Sequence, residues 1–445
     1  MLDLGLLLAQ LVVILVAARA AGLLMRPLGQ PAVIGEMIAG LALGPSLLGA
    51  VAPNVLAALF PAGGMLPLAA LSQLGVLLFM FVVGLRLDLT LLRGRAHVAV
   101  AVSHASIIAP FLLGAALAPL LHPAFAPPGV GLLPFALFLA AAMSVTAFPV
   151  LARILDERGL RGTRIGTVAI AAAAVDDVTA WCILAAVVAV ARSTGATGAG
   201  GGLSAFATTI GLAAAWVLFL FAVVRPALAR AAARRSVVVP SAQLVSVAVV
   251  GAFVSAWATE RAGVHALFGS FLAGVIVPRG GADDPARGGL AEMLAHRIEA
   301  VVGAVLLPVF FAFTGLRTSV GLVQGGTAWA LAGLILLVAV AGKLGGSAGA
   351  ARLFGMPWRE ALAVGTLMNT RGLMELVILN VGLDIGVITP TLFAMLVLMA
   401  LVTTVMTSPL LGALRQGRAH AGDAAPAPRT DRALDPAPRA AARLQ

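Results

Sequence analysis

Charged residues are scarce in this sequence, at 11% of its 445 residues, whereas soluble domains carry about a quarter. Hydrophobic residues make up 61%, and the mean hydropathy is +1.07. Runs of about 20 apolar residues recur along most of the chain, and each is long enough to cross a bilayer as a helix. The scarcity of charge excludes an ordinary soluble domain and predicts an all-α polytopic membrane protein.

Cysteine and lysine each occur only once, as Cys182 and Lys343. A single cysteine excludes an internal disulfide. The net charge of +11 is carried almost wholly by arginines between the apolar runs or in the C-terminal tail, so we reject binding to nucleic acid. The N-terminus lacks the basic region of a cleaved signal peptide, which favours a first membrane helix there.

Thirteen apolar segments are predicted to cross the membrane. They lie at 3–25, 31–49, 66–86, 97–121, 131–155, 162–191, 204–229, 240–259, 264–278, 292–316, 326–352, 359–383 and 389–414. Arginines are concentrated in alternate loops, which the positive-inside rule places in the cytoplasm. We therefore expect the N-terminus outside and the C-terminus inside, in a bacterial inner membrane. The tail at 415–445, rich in Ala, Pro and Arg, is predicted to be disordered and cytoplasmic.

The thirteen segments divide into a first repeat (about 1–191), a connecting helix (204–229) and a second repeat (240–414). This division predicts inverted repeats. The fifth and twelfth segments occupy matching positions, and both carry polar and helix-breaking residues at mid-depth, in "AAMSVTAFPVLARIL" (141–155) and "GTLMNTRGLMELVIL" (365–379). A pair of interrupted helices so placed is typical of a transport site. Small residues such as Gly40-xxx-Gly44 indicate close packing of helix backbones.

Two adjacent acids, Asp176 and Asp177, stand in the otherwise apolar sixth segment. Each charge at that depth costs at least about 2.5–3.5 kcal/mol on insertion scales. Neighbours on a helix point about 100° apart, so one acid can face a water-filled cavity while the other faces a helix. Crowding and burial both oppose ionisation of the pair, so one carboxyl can gain and lose a proton near physiological pH. Such a carboxyl can exchange a proton for a monovalent cation.

The other charges singled out within the membrane are Glu36, Lys343, Arg371 and Glu375, with Arg153 near the cytoplasmic end of its helix. Lys343 is expected either to pair with one of the two aspartates or to extend toward a helix end. Arg371 and Glu375 are four residues apart and are interpreted mainly as a structural ion pair that supports a broken helix. Glu36 is either structural or part of an access path, and the sequence does not choose between these.

Neutral oxygens lie at both predicted breaks. Ser144 and Thr146 in the fifth segment and Asn369 in the twelfth can contribute to an ion site, together with the free carbonyls and end dipoles of unwound helices. We predict Asp176, Asp177 and Thr146 as ion- and proton-binding residues and Lys343 as their charge partner. The predicted support of the broken helices is Ser144, Asn369, Thr370, Arg371 and Glu375.

Four stretches in this order resemble a known family: "GQPAVIGEMIAGLALGPSLLG", "VDDVTAW", "GK" at 342–343 and "MNTRGLMELVILNVGLDIGVI". Over about residues 1–414 the chain resembles the monovalent cation:proton antiporter-2 family, which includes bacterial sodium/proton antiporters, potassium efflux systems and plant cation/proton exchangers. The last stretch is most similar to the plant exchangers and their bacterial relatives.

The resemblance implies a homodimer of thirteen-helix subunits, each with a dimerisation domain and a mobile core domain that holds two broken, crossing helices. It implies that Asp177 carries the cation and the proton, that Asp176 pairs with Lys343, and that Thr146 and nearby carbonyls are secondary ligands. Because Asp176 is present, the resemblance favours electrogenic exchange. No cofactor is expected.

The function predicted is secondary antiport of Na⁺ or K⁺ against H⁺ by alternating access, with cation and proton competing for Asp177. Two alternatives remain. A passive cation channel would also use broken helices, but it has no need of a titratable acid with a lysine partner. An intramembrane aspartyl protease needs two facing carboxylates, which adjacent acids on one helix do not provide.

Overall fold

The computed structural model describes residues 3–87, 96–160, 163–193, 202–234, 242–278 and 289–419. Every regular element in these ranges is helical. In chain order the α-helices are α1 (Leu4–Met25), α2 (Ala32–Leu43), α3 (Leu48–Val51), α4 (Pro53–Leu59), α5 (Met65–Arg86), α6 (Ala96–Phe125), α7 (Leu132–Ser144), α8 (Phe148–Glu157), α9 (Arg164–Ser193), α10 (Gly202–Phe219), α11 (Arg225–Arg234), α12 (Ala242–Arg261), α13 (Ala266–Val275), α14 (Leu290–Val301), α15 (Leu307–Arg317), α16 (Gly325–Leu353), α17 (Trp358–Met368), α18 (Leu373–Asp384) and α19 (Pro390–Ala419). Single π-helical turns at Leu220–Val224 and Val302–Leu306 join α10 to α11 and α14 to α15.

The helices pack into two bundles. In the site bundle, formed by α6–α9 and α16–α19, α6 packs against α7, α9 and α16, and α17 packs against α9, α16 and α19. In the scaffold bundle, formed by α1, α2, α5 and α12–α15, α5 packs against α13, α14 and α15, and α2 packs against α1 and α15. The predicted site residues all lie on the site bundle, and one hydrophobic core runs through both bundles.

Twelve of the thirteen predicted spans correspond, within the described residues, to helices that are long and apolar enough to cross a membrane. Eleven do so as separate candidates, and the twelfth is the bent pair Trp358–Met368 and Leu373–Asp384. The predicted ninth span is α13, an apolar helix of 10 residues, whereas a span needs about 20. The count of thirteen therefore remains a prediction.

Small residues bring α2 and α15 into backbone contact, as the Gly40-xxx-Gly44 spacing predicts. A Cβ at Gly40 would lie 2.2 Å from the Phe311 carbonyl oxygen, and one at Gly44 would lie 2.3 Å from that of Gly315. No other residue allows helices to approach so closely, so α2 is held firmly against α15.

Both predicted helix breaks are confirmed. The fifth span unwinds between Ser144, the last residue of α7, and Phe148, the first of α8. The twelfth unwinds after Met368 and bends by 43°. Gly372 there has φ of 153°, a conformation that side chains with a Cβ rarely adopt.

The C-terminal tail departs from its prediction at its start. Helix α19 extends to Ala419, five residues beyond the predicted boundary at 414, because Arg, Gln and Ala in this stretch favour helix. The rest of the tail lies outside the described residues.

Candidate functional site

The two helix breaks contact each other directly. The backbone N–H of Ala147 donates to the Thr370 carbonyl oxygen at 2.9 Å. The Thr146 hydroxyl lies 3.1 Å from the Met368 carbonyl oxygen. Because an unwound backbone in a membrane must find partners within the protein, each break satisfies part of the other. The two broken spans therefore meet at one point in the site bundle.

Two buried cations face the carboxyl end of α7, where the helix dipole places partial negative charge. Arg371 donates from Nη1 to the Ala142 carbonyl oxygen at 3.0 Å and from Nη2 to that of Met143 at 2.5 Å. The Lys343 ammonium donates to the carbonyl oxygen of Ser144. These carbonyls are ones that the end of a helix leaves without partners of their own, so the two cations cap the interrupted helix.

Asp176 is saturated with hydrogen-bond donors. Its Oδ1 accepts from the hydroxyls of Ser103 at 3.0 Å and Ser106 at 2.8 Å. Its Oδ2 accepts from the Thr146 hydroxyl at 2.5 Å and from Lys343 Nζ at 2.9 Å. Both Asp176 and Lys343 are 0% exposed, so this is a fully buried ion pair. A buried charge persists when it is paired and hydrogen-bonded in this way.

Asp177 has the opposite character. It is 2% exposed, yet its Oδ1 has no hydrogen-bond partner in the described part of the chain. Its carboxyl group accepts a hydrogen bond from the backbone N–H of Phe148, at the positive end of α8. An acid with free lone pairs beside a helix N-terminus can accept a hard cation or a proton. Of the two aspartates, only Asp177 has a carboxylate oxygen that is available to bind a cation or a proton.

Arg371 and Glu375 form the i,i+4 pair that the sequence predicts. Arg371 Nη1 lies 2.6 Å from Glu375 Oε2, and both side chains are buried. The hydroxyl of Thr404 on α19 lies 3.2 Å from the Arg371 backbone nitrogen and 2.7 Å from its carbonyl oxygen. These contacts fit the structural interpretation, because they fasten the break of the twelfth span to α7 and α19.

The neutral groups at the breaks are placed differently from one another. The Ser144 hydroxyl donates to the Ala141 carbonyl oxygen of its own helix at 2.9 Å, so only its backbone faces the site. Asn369 Oδ1 and Thr370 Oγ1 are buried without hydrogen-bond partners among the described residues. These two oxygens at the second break are free for a ligand.

Three residues of the site were missed by sequence reasoning: Ser103, Ser106 and Thr404. Ser103 and Ser106 lie one turn apart in the stretch "SHAS" of the otherwise apolar α6. Polar residues at i and i+3 on an apolar helix are a usable signal, because they share a face that must meet a polar partner. Thr404 lies between Thr403 and Thr407, whose hydroxyls donate to carbonyl oxygens of their own helix. The sequence around Thr404 therefore does not indicate that its hydroxyl contacts another helix.

Two cavities approach the site from opposite ends of α5, α15 and α18. The access cavity, of about 540 Å³, is lined by Glu36, by Phe148 at the first break and by Leu373 at the second. The distal cavity, of about 590 Å³, is lined by residues nearer the other ends of these helices, including Val377 and Asp384 of α18. The access cavity thus reaches the residue whose N–H binds Asp177.

Comparison with known proteins identifies the family of this chain. The family described as "Sodium/hydrogen exchanger, transmembrane" matches residues 11–414. The chain belongs to this sodium/hydrogen exchanger family. Members of the family are transporters, so the protein is a transporter and not an enzyme, and the protease alternative is excluded.

Several known proteins are similar in sequence to this exchanger. The chain is 41% identical to the Na(+)/H(+) antiporter NhaS4 of Synechocystis sp., over 93% of this chain and 98% of that protein. It is 38% identical to Cation/H(+) antiporter 19 of Arabidopsis thaliana, over 92% of this chain and 49% of that protein. It is 34% identical to K(+)/H(+) antiporter 1 of Saccharomyces cerevisiae, over 86% of this chain and 45% of that protein. The exchanger thus spans about half the length of the plant and yeast proteins.

A solved structure shares the fold. The sodium proton antiporter MjNhaP1 of Methanocaldococcus jannaschii superimposes with a TM-score of 0.62 at 15% identity, over 92% of this chain and 96% of that one. At this identity the likeness shows the polytopic helical fold alone. The family predicted from the sequence motifs is confirmed.

Proposed function

We propose that the protein is a secondary antiporter that exchanges Na⁺ or K⁺ for H⁺ at Asp177. The observation that carries the proposal is the contrast between two adjacent buried acids. Asp176 has four donors around its two oxygens, whereas Asp177 Oδ1 has none among the described residues. The relatives named as Na⁺/H⁺ and K⁺/H⁺ antiporters support the same activity.

Exchange follows from competition for one carboxylate. A proton on Asp177 removes the charge that a cation needs, and a bound cation excludes the proton. Thr146, Asn369 and backbone carbonyls at the breaks supply neutral oxygens, which hard cations prefer. Alternating access would come from movement of the site bundle against the scaffold bundle, which exposes Asp177 to one cavity at a time. The helix breaks travel with the site, so the ligands stay together.

A second proton carrier would make the exchange electrogenic, and Lys343 is placed for that role. It is fully buried, and its ammonium group bonds Asp176 directly. When a cation arrives, Asp176 can turn from Lys343 toward it, and the freed amine can release its proton. Two protons would then cross against one cation. Arg371 and Glu375 remain paired throughout and hold the break.

We further propose that the exchanger is a homodimer in a bacterial inner membrane, with its N-terminus outside. The dimer is implied by resemblance to the family. The orientation rests on the arginine-rich alternate loops, and it directs the access cavity, which Arg86 and Arg153 line, toward the cytoplasm.

The test uses proteoliposomes with an imposed pH gradient and a pH-sensitive dye, to which Na⁺, K⁺ and Li⁺ are added in turn. At least one cation should dissipate the gradient in the wild-type protein, and Asp177→Asn should show no response. A channel would instead carry a cation current even without an imposed pH gradient, and that current would move no protons. Failure of every cation between about pH 6 and pH 9 would refute the exchange.

A further inference from the structure

We propose that Glu36 is a second monovalent-cation site, at which the cation pauses in the access cavity before it reaches Asp177. This inference rests on the proposed function, because it assigns a step to the same cation path. It concerns a different helix, however, and a different bundle. Glu36 lies on α2 in the scaffold, whereas Asp177 lies on α9 in the site bundle.

The first observation is that Glu36 is a buried carboxylate without a direct partner among the residues that the structure describes. It is only 8% exposed, and it lines the access cavity. The described residues give it no hydrogen bond and no ion pair, and it senses Arg19 and Arg153 only through their longer-range field. A carboxylate so enclosed usually has a direct partner, because burial without one is costly. A cation in the cavity is the partner that this position lacks.

The second observation is where the arginines around Glu36 make their own contacts. Arg19 donates to the Ala304 carbonyl oxygen at 3.2 Å, and Arg86 is paired with Glu299. Arg153, which lies on α8, is not without a partner either. These guanidinium groups do not cover the oxygens of Glu36, and their positive charge limits how tightly a cation binds there. Weak binding is what a passage site requires, because the ion must leave again.

The third observation is the charge of the whole cavity lining. It carries three guanidinium groups, Arg19, Arg86 and Arg153, and four carboxylates, Glu36, Asp156, Glu292 and Glu299. The excess of acid favours cations over anions in a confined space. Glu36 is the buried member of this set, whereas Glu292 is exposed.

The fourth observation is the rigidity and direction of the path. Helix α2 is fixed against α15 by the close approach at Gly40, so Glu36 keeps its position relative to α15, which lines the same cavity. Phe148 and Leu373, which begin α8 and α18, line the same cavity and lie at the breaks. A cation at Glu36 would therefore share one cavity with Phe148, whose N–H contacts Asp177.

The test separates loading of the cavity from transport. Proteoliposomes are adsorbed on a solid-supported membrane, and the fast charge displacement after a jump in Na⁺, and then in K⁺, is recorded. Asp177→Asn stops exchange but leaves Glu36, so a small saturable displacement should persist. Adding Glu36→Gln should reduce it more than fivefold. Adding Glu292→Gln, which removes the same charge from an exposed position of the same cavity, should leave it nearly unchanged.

The outcomes are distinct. The proposal is overturned if Asp177→Asn alone shows no saturable displacement, if Glu36→Gln leaves it intact, or if Glu292→Gln lowers it equally. Glu36→Asp keeps the charge and should retain the signal, which guards against a variant that merely misfolds. Failure of antiport in the wild type would refute the proposed function, while the displacement measured with Na⁺ and K⁺ would still test Glu36.

Discussion

The ion pair between Asp176 and Lys343 yields a prediction whose size follows from the structure. The two charges lie 2.9 Å apart and are 0% exposed. At an effective dielectric constant of about 20, their Coulomb attraction is about 6 kcal/mol. Removing one partner of such a buried pair leaves an uncompensated charge and typically costs about 3–5 kcal/mol. Lys343→Met should therefore destabilise the exchanger by about that amount.

The double variant makes the prediction specific. Replacing both charges, in Asp176→Asn with Lys343→Met, removes the unpaired charge as well as the attraction. Neutral replacement of a whole buried pair is often nearly harmless. The double variant should thus be more stable than Lys343→Met alone, with a coupling energy of about 2–3 kcal/mol.

The assay is thermal or denaturant unfolding of the four proteins in one detergent, compared as a double-mutant cycle. Asp177→Asn with Lys343→Met is the matched control. Asp177 makes no ion pair with any described residue, so its removal should restore much less stability. Strictly additive costs for Asp176→Asn and Lys343→Met would refute the assignment of the pair.

Three further predictions concern the breaks and the distal cavity. Thr146→Ala removes a hydroxyl that lies 2.5 Å from Asp176, so it should lower the free energy of unfolding by about 1–3 kcal/mol and raise the KM for the cation. Thr146→Ser keeps the hydroxyl and should retain both properties. An equal loss in the serine variant would contradict the role of the hydroxyl. Gly372→Ala should lower the free energy of unfolding by about 1–3 kcal/mol and slow proton flux, because the φ of Gly372 is 153°. Gly345→Ala, on a helix with open space at the Cβ, should be nearly neutral in the same assays. Equal effects of the two substitutions would refute the strain argument. Asp384→Asn removes a half-exposed ion pair to α15 at 2.6 Å and should cost less than about 1 kcal/mol in thermal unfolding, so a loss like that of Lys343→Met would contradict the exposure seen here.

The helix breaks and the two aspartates could be predicted because their signals are local. Asp176 and Asp177 stand out in an apolar run, and Gly372 and Pro149 interrupt spans that are otherwise continuous. Such departures from pattern concentrate at functional sites. The same reasoning places Lys343 at mid-segment, where it needs a partner.

The partners of these groups could not be predicted, because they come from distant parts of the chain. Ser106 lies 70 residues before Asp176, and Arg371 reaches the Ala142 carbonyl oxygen from 229 residues away. Sequence spacing predicted the i,i+4 pair of Arg371 with Glu375, but it gives no information about which helix end a guanidinium group will cap. Only packing of the two breaks together determines that Asp176 is saturated and that Asp177 is not.

The length of the ninth segment was also beyond local reasoning. The apolar stretch at 264–278 has suitable composition, yet α13 ends at Val275 after 10 residues. It packs closely on α5 and α12, so its apolar residues contact neighbouring helices. Hydropathy does not distinguish an apolar segment buried in protein from one exposed to lipid.

The most direct test of the central claim is whether proton and cation compete for Asp177. In proteoliposomes with equal pH on both faces, exchange of the transported cation is measured as a function of its concentration at several pH values. If one carboxylate serves both ions, the KM for the cation rises about tenfold per pH unit on the acid side while the maximal rate changes little. Asp177→Asn should abolish exchange. A KM that is independent of pH across the active range would contradict the account, because cation and proton would then bind at separate places.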